Sequence, residues 1–169
     1  IDEPDLGEQL NLVRDGQSFA LKDLQIDPFT VPHDAREPVQ FTVTDGASRL
    51  GVLTDVGSST PYLIDRLQQC AALLLECNHD VGMLAQGPYP PFLKARVGGR
   101  WGHLSNDTAA EILQACSHGA LRHVVAAHLS EQNNLPQMAS AALAAALGTS
   151  ADEIVVAHPR EGFGWLDLR

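Results

Sequence analysis

Apolar residues along this chain follow two rhythms, and the positions where each rhythm stops carry most of the information. In the first third the runs are short and strand-like. "FALKDLQIDPFTV" carries Leu24, Ile26 and Phe29, and "VQFTVTDGASRLGVLTD" reads as two strands joined by a turn at Asp45-Gly46. Thr60-Pro61 is a helix N-cap followed by proline at the first helical position. "YLIDRLQQC" then sets Leu63, Ile64 and Leu67 on one helical face. "AALLLE" is too apolar for a half-exposed strand and reads as a buried one. The Pro-rich "GPYPPFL" predicts a loop leading into a short helix. "SNDTAAEILQACSHG" predicts a helix capped by Ser105, with Gly119 past its end. "LRHVVAAH" is another buried strand, and "LPQMASAALAAALG" an Ala/Leu helix closed by Gly148. "EIVVAH" and "FGWLDL" read as two final strands. Strands alternating with helices predict an α/β layered sandwich, and the early hairpins make its sheet mixed. No repeat or linker divides the chain, which reads as a single domain over residues 1–169.

Polar chemistry gathers where the predicted strands end. "FTVPHD" ends at His33-Asp34, "LGVLTD" at Asp55, "HVVAAH" at His128, and "ALLLECNHD" at Glu76, Asn78, His79 and Asp80. In layered α/β proteins sites collect at the carboxyl ends of strands. His33, Asp55 and His128 together offer imidazole nitrogen and carboxylate oxygen, a ligand set for zinc, manganese or iron. His103 in "GHLSN" immediately precedes a helix start, where free backbone N–H groups favour a phosphate oxygen. In "AHLSEQNN" Ser130 and its neighbours Glu131 to Asn134 are candidates to orient the imidazole of His128, as are Asn78, His79 and Asp80 upstream. His118, His123 and His158 read as structural or exposed.

Composition sharpens this picture. The chain has 169 residues, is 44% hydrophobic and carries a net charge of −10 with histidine neutral, so it builds a core and repels polyanions on average. A nucleic-acid substrate therefore needs a local basic patch, and "LKARVGGRWGH" supplies Lys94, Arg96 and Arg100. No apolar run approaches the roughly 20 residues of a membrane span. Cys70, Cys77 and Cys116 form no CxxC pair and read as buried free thiols of a reducing, cytoplasmic compartment.

The segments "PFTVPHDAREPVQF", "LGVLTDVG", "LLLECNHDVGMLAQGPYPPFLKARV", "GHLSN" and "AAHLSEQNN", spread over about residues 15 to 147, resemble the metallo-β-lactamase superfamily in its ribonuclease Z-like and YycJ (WalJ)-like branch. The resemblance implies a four-layer αββα sandwich and a metal-dependent hydrolase, first of all a phosphodiesterase or nuclease using a metal-bridged hydroxide. It implies two divalent cations, with zinc expected first and manganese or iron as alternatives. His33, Asp55 and His128 would be metal ligands, with Asp55 bridging. His103 would contact phosphate, supported by Glu76, and Lys94, Arg96 and Arg100 would contact substrate.

One departure matters. The family's HxHxDH motif is absent, and no HxH occurs in the chain. With Ile1 first, the expectation is the carboxy-terminal part of a longer protein, inactive and weakly metal-binding alone. An uncovered sheet face would then meet a missing amino-terminal half or a second copy. Two other readings stay open: a metallohydrolase of small esters or lactones, and a non-catalytic interaction module.

Overall fold

The computed structural model describes residues 11–168. Its centre is one seven-stranded sheet in sequential order: β1 (Phe19–Leu21), β2 (Leu24–Thr30), β3 (Val39–Thr44), β4 (Arg49–Leu53), β5 (Ala72–Glu76), β6 (His123–Ala127) and β7 (Val155–Val156). The first four form an antiparallel meander, and β4 through β7 run parallel. The parallel steps are made by helices: α1 (Pro61–Leu67) between β4 and β5, then α2 (Val81–Gln86), α3 (Pro91–Val97) and α4 (Asn106–Cys116) between β5 and β6, and α5 (Pro136–Leu147) before β7. The α/β layered class with a mixed sheet is as expected. The described residues supply one sheet and one helical layer of the four layers that the resemblance implies.

Local chemistry explains the elements. Asp45 Oδ1 accepts from the N–H groups of Ala47 and Ser48 at 2.9 and 2.8 Å and closes the β3–β4 turn, where Gly46 takes a φ of +88°. Pro28 lies beyond the stretch of β2 that pairs with β1, where a missing N–H costs no ladder bond. Thr60 caps α1 by accepting from Leu63 N, and Ser105 caps α4 by accepting from Thr108 N. Gly148 ends α5 with a φ of +67°, a left-handed cap.

Alternation across β4, β5 and β6 points Leu53, Leu73, Leu75, Val124 and Ala126 toward the helices, where they meet Leu63, Leu67, Ile112, Leu113 and Leu143 in a buried core. The three cysteines are buried free thiols, with burial pushing those of Cys70 and Cys116 up to about 11. Among the described residues no helix is long and apolar enough to cross a membrane.

Three expectations need correction. "FGWLDL" is not a strand: Phe163 to Leu168 cross the other face of the sheet, walling a groove of about 380 Å³ over Leu50, Val52, Leu74 and Val125. The segment is held there by side chains, Ser48 Oγ donating to Leu168 O and His123 Nε2 to Asp167 O. Helix α2 was not foreseen, because its six residues are too few to show a period. Helix α4 stops at Cys116 with Ser117 as its cap, ahead of Gly119.

Gly51 on β4 sits where a side chain does not fit. An added Cβ would lie 2.8 Å from Leu67 Cδ2, 2.8 Å from Leu73 Cδ2 and 3.2 Å from Cys70 Sγ. Gly51→Ala is expected to cost about 1–3 kcal/mol by overpacking. Urea denaturation checks this, and an unchanged midpoint would show that the leucine tips move aside freely.

Candidate metal and phosphate site

Strand direction decides where the polar ends meet. Two antiparallel steps separate β2 from β4, so β2 runs the same way as β4, β5 and β6. The residues that follow their carboxyl ends, His33, Asp55, Glu76 and His128, therefore share one edge of the sheet. His103 joins them from the long β5–β6 connection, where "ECNHD" stitches the motifs together. Asn78 N donates to Leu104 O at 3.0 Å, Asn106 N to His79 O at 2.9 Å, Ser130 N to Asn78 O at 2.8 Å and Asp80 N to Asn133 O at 2.9 Å. The "GHLSN" and "HLSEQNN" loops are thus clamped on opposite sides of one extended segment.

Glu76 is the centre of the arrangement and is 0% exposed. Its Oε1 accepts from His103 Nδ1 at 2.8 Å and from His128 Nδ1 at 2.6 Å. Its Oε2 accepts from Val56 N at 2.9 Å and Leu104 N at 3.2 Å. Burial by itself would push this carboxyl up. The donors of His103, His128 and Val56 outweigh it and hold the pKa at about 2. In return, the bond to Glu76 raises the pKa of His128.

These bonds fix which ring nitrogens remain available. His33 Nδ1 donates to Gly102 O at 2.9 Å, so its Nε2 faces inward, 3.7 Å from Asp55 Oδ1. His128 Nε2 lies 3.8 Å from the same oxygen. Rings of His33 and His103 are 5.2 Å apart between centroids, and those of His103 and His128 5.4 Å. Asp55 and His128 both hold left-handed backbone, with φ of +52° and +57°, and Asn78 Nδ2 donates to His128 O at 3.1 Å. Such φ values in residues bearing a Cβ cost of order 1–3 kcal/mol and cluster at sites.

The donor set fits a divalent cation. Ligand atoms of Asp55, Glu76, His103 and His128 lie within 4.8 Å of one another. Both oxygens of Glu76 are already filled by hydrogen bonds, which makes it a support. What faces the open centre is His33 Nε2, Asp55 Oδ1 and His128 Nε2. When the imidazoles are neutral these are three lone pairs with no hydrogen between them, an arrangement that a proton, a water molecule or a metal ion satisfies. Separations of 3.7 and 3.8 Å are close to what roughly 2 Å bonds to a common ion allow.

The other expected residues take different places. Asp80 caps α2 by accepting from Met83 N at 2.8 Å, and Ser130 Oγ accepts from Asn133 N at 3.2 Å within its own loop. His79 is 3% exposed, and burial lowers its pKa. Asn134 pairs with Asn106 and donates to Cys77 O at 2.7 Å. Among the described residues, none of these side chains bonds an imidazole: Glu76 and Gly102 O orient the rings, while Asn78 acts on the backbone of His128. The basic cluster is dispersed. Lys94 Nζ donates to Ala85 O at 2.6 Å, Arg96 Nε to Asp34 Oδ2 at 2.5 Å, and Arg100 stacks 4.9 Å over the ring of Trp101. Only Arg96 reaches toward the site, through Asp34, which lies 3.6 Å from His33 Nε2. The bond to Arg96 lowers the pKa of Asp34. The remaining histidines meet backbone groups, His118 donating to Cys70 O and His158 accepting from Arg160 N.

Sequence reading missed the Gly102 carbonyl, the Val56 and Leu104 amides and the Asp34–Arg96 pair. Only "HD" at 33–34 and "DVG" at 55–57 hinted at them. Gly57 has the clearest reason: a Cβ there would lie 2.4 Å from Arg100 O and 2.6 Å from Gly102 N.

Sheet, connections and buried Glu–His network define a layered α/β protein with a candidate cation site, and the chain belongs to the β-lactamase superfamily domain family, which it matches over residues 1–129. It is 32% identical to the exodeoxyribonuclease YycJ of Bacillus anthracis over 117 residues, 69% of this chain and 44% of that one. It is 30% identical over 131 residues to the exodeoxyribonuclease WalJ of Streptococcus pneumoniae serotype 2, covering 78% of this chain and 49% of the relative. The chain thus spans about half the length of the curated relatives it matches. The metallo-β-lactamase fold protein YhfI of Bacillus subtilis superposes with a TM-score of 0.66 at 16% identity, over 90% of this chain and 54% of that structure, and shows the shared fold.

Glu76→Ala is expected to destabilise the fold by about 3–5 kcal/mol, because it strands two buried amides and two oriented imidazoles. The depressed pKa also sets a pH window. The stabilisation from Glu76 is complete above the ordinary carboxyl value of 4.5 and is lost as pH falls toward about 2. Thermal unfolding from pH 7 to 2 checks both: the wild type loses stability below pH 4.5, and the variant loses less over that interval.

Proposed function

We propose that this chain forms part of a metal-dependent phosphodiesterase that hydrolyses DNA. The observation that carries the reading is the convergence of His33 Nε2, Asp55 Oδ1 and His128 Nε2 beside His103, with the rings of His103 and His128 braced by one buried carboxylate. Both exodeoxyribonuclease relatives support the substrate class.

In this reading His33, Asp55 and His128 hold the cation, Asp55 serving as the carboxylate ligand. A divalent cation supplies Lewis-acid polarisation of the phosphate and activation of water; zinc is expected first, with manganese or iron as alternatives. Three donors fill part of one coordination sphere, so metal binding by these residues alone is expected to be weak. His103 is the proton donor. Its Nδ1 is committed to Glu76, which leaves Nε2 for the substrate. As water adds to phosphorus and the P–O bond breaks, protonated Nε2 gives its proton to the departing oxygen, and the proton released by water passes to solvent. Glu76 remains ionised and balances the imidazolium. Arg96, with 66% of its side chain exposed, swings between Asp34 and a phosphate of the strand. Lys94, held by the Ala85 carbonyl, and Arg100, stacked over Trp101, take no direct part in this reading.

Two variants of the complete protein test this. His103→Ala is expected to lower hydrolysis of bis-p-nitrophenyl phosphate by about 10²–10⁴-fold with metal content unchanged. Asp55→Ala is expected to lower metal content itself, measured by elemental analysis after dialysis. A lactone run in parallel separates the substrate classes: faster turnover of the lactone than of the diester would overturn the phosphodiesterase reading.

A further inference from the structure

His103 and His128 also line a cleft of about 370 Å³, and nothing in the proposed chemistry uses its far walls. One wall carries Tyr89 and Val97, the other the loop of Leu129 to Gln132. This size falls at the lower end of small-ligand pockets. A phosphodiester placed at the two imidazoles has this cleft beside it for one of its substituents.

The lining says which substituent. The residues lining the cleft include no lysine or arginine, and Glu131 is among them. It therefore offers a second phosphate no cationic side chain. What it offers is an aromatic face, an aliphatic wall and amide edges at Asn78 and Gln132. Those are the groups that take a nucleobase: every base has a π-face to stack, while edge groups accept or donate hydrogen bonds.

Tyr89 is built to present its ring. It stands between Pro88 and Pro90, which fix their own φ angles and confine the tyrosine to extended backbone. Its hydroxyl has no hydrogen-bond partner among the described residues. The loop is pressed against the opposite wall at its root, where a Cβ on Gly87 would lie 2.7 Å from Asn133 Oδ1. Asn133 is itself fully buried and tied to Ser130 Oγ at 3.2 and 3.3 Å. The two walls therefore keep their spacing without a ligand.

We propose that this cleft seats the nucleoside next to the scissile phosphate, with its base stacked on Tyr89 and its edge toward Gln132 and Glu131. The assignment rests on the phosphodiesterase reading and adds a specificity-determining residue to it. Recognition by stacking makes the enzyme tolerant of base identity and intolerant of a missing base.

The test uses the complete, metal-loaded protein and deoxydinucleotides in which either nucleoside is replaced by an abasic deoxyribose. For the wild type, one of the two replacements is expected to raise KM about tenfold or more while kcat changes little. Tyr89→Ala should raise KM for the intact dinucleotide to a similar degree and show no further penalty from the abasic substitution, whereas Tyr89→Phe should retain the wild-type pattern. Equal KM values for Tyr89→Ala and wild type, or a full additional abasic penalty in the variant, would overturn the assignment. A wild type that cleaves no dinucleotide and no bis-p-nitrophenyl phosphate would instead overturn the phosphodiesterase reading beneath it.

Discussion

A single carboxylate, Glu76, organises the site edge of the sheet. It is wholly buried, yet four N–H groups meet its two oxygens: two from imidazoles and two from backbone amides. An isolated charge in that position would be prohibitive. With every lone-pair direction answered, the charge instead becomes a hub that ties β5 to the loop after β4, the "GHLSN" loop and the end of β6. The same four bonds that make the anion tolerable also set ring orientations, so the energetics of folding and the geometry of the site cannot be separated.

Around that hub the site is assembled by strand direction. Because β2, β4, β5 and β6 run the same way, residues from chain positions nearly a hundred apart emerge on one edge. The backbone is bent there in left-handed turns at Asp55 and His128, and glycines at 57 and 102 allow neighbouring chains to pass within van der Waals distance. Each ring nitrogen that does not face the centre has a hydrogen-bond partner on its other side. What remains is a small region rich in lone pairs, a candidate cation site, in a family whose members share this fold.

Charge at longer range is less simple than the sequence suggests. The lysine and arginines of "LKARVGGR" do not point together into an anion-binding surface; each is engaged by a carbonyl, a carboxylate or an indole. The chain is acidic overall, and the cleft beside the imidazoles is lined in part by Glu131. Such a surface presents no continuous positively charged track among the described residues.

Much of this was legible in the residues. The two hairpin strands with their Asp45-Gly46 turn, the caps at Thr60 and Ser105, the closing Gly148 and the buried strands "ALLLE" and "HVVAA" follow from period, capping chemistry and turn stereochemistry, which are local. The convergence of His33, Asp55 and His128 was readable as well, because each sits where a strand ends. Other features lay outside its reach. That "FGWLDL" lies across the sheet without joining it depends on an apolar face made by β4, β5 and β6. That Glu76 braces two histidines, while Ser130 and Asp80 turn inward to hold their own loops, depends on which side of the "ECNHD" segment each motif packs. Sequence by itself determined the elements and the kinds of ligand atoms, since both are properties of short stretches. Tertiary structure alone decided which hydrogen-bond donors meet which acceptors, because those partners are distant in the chain and are brought together only by the common direction of the strands.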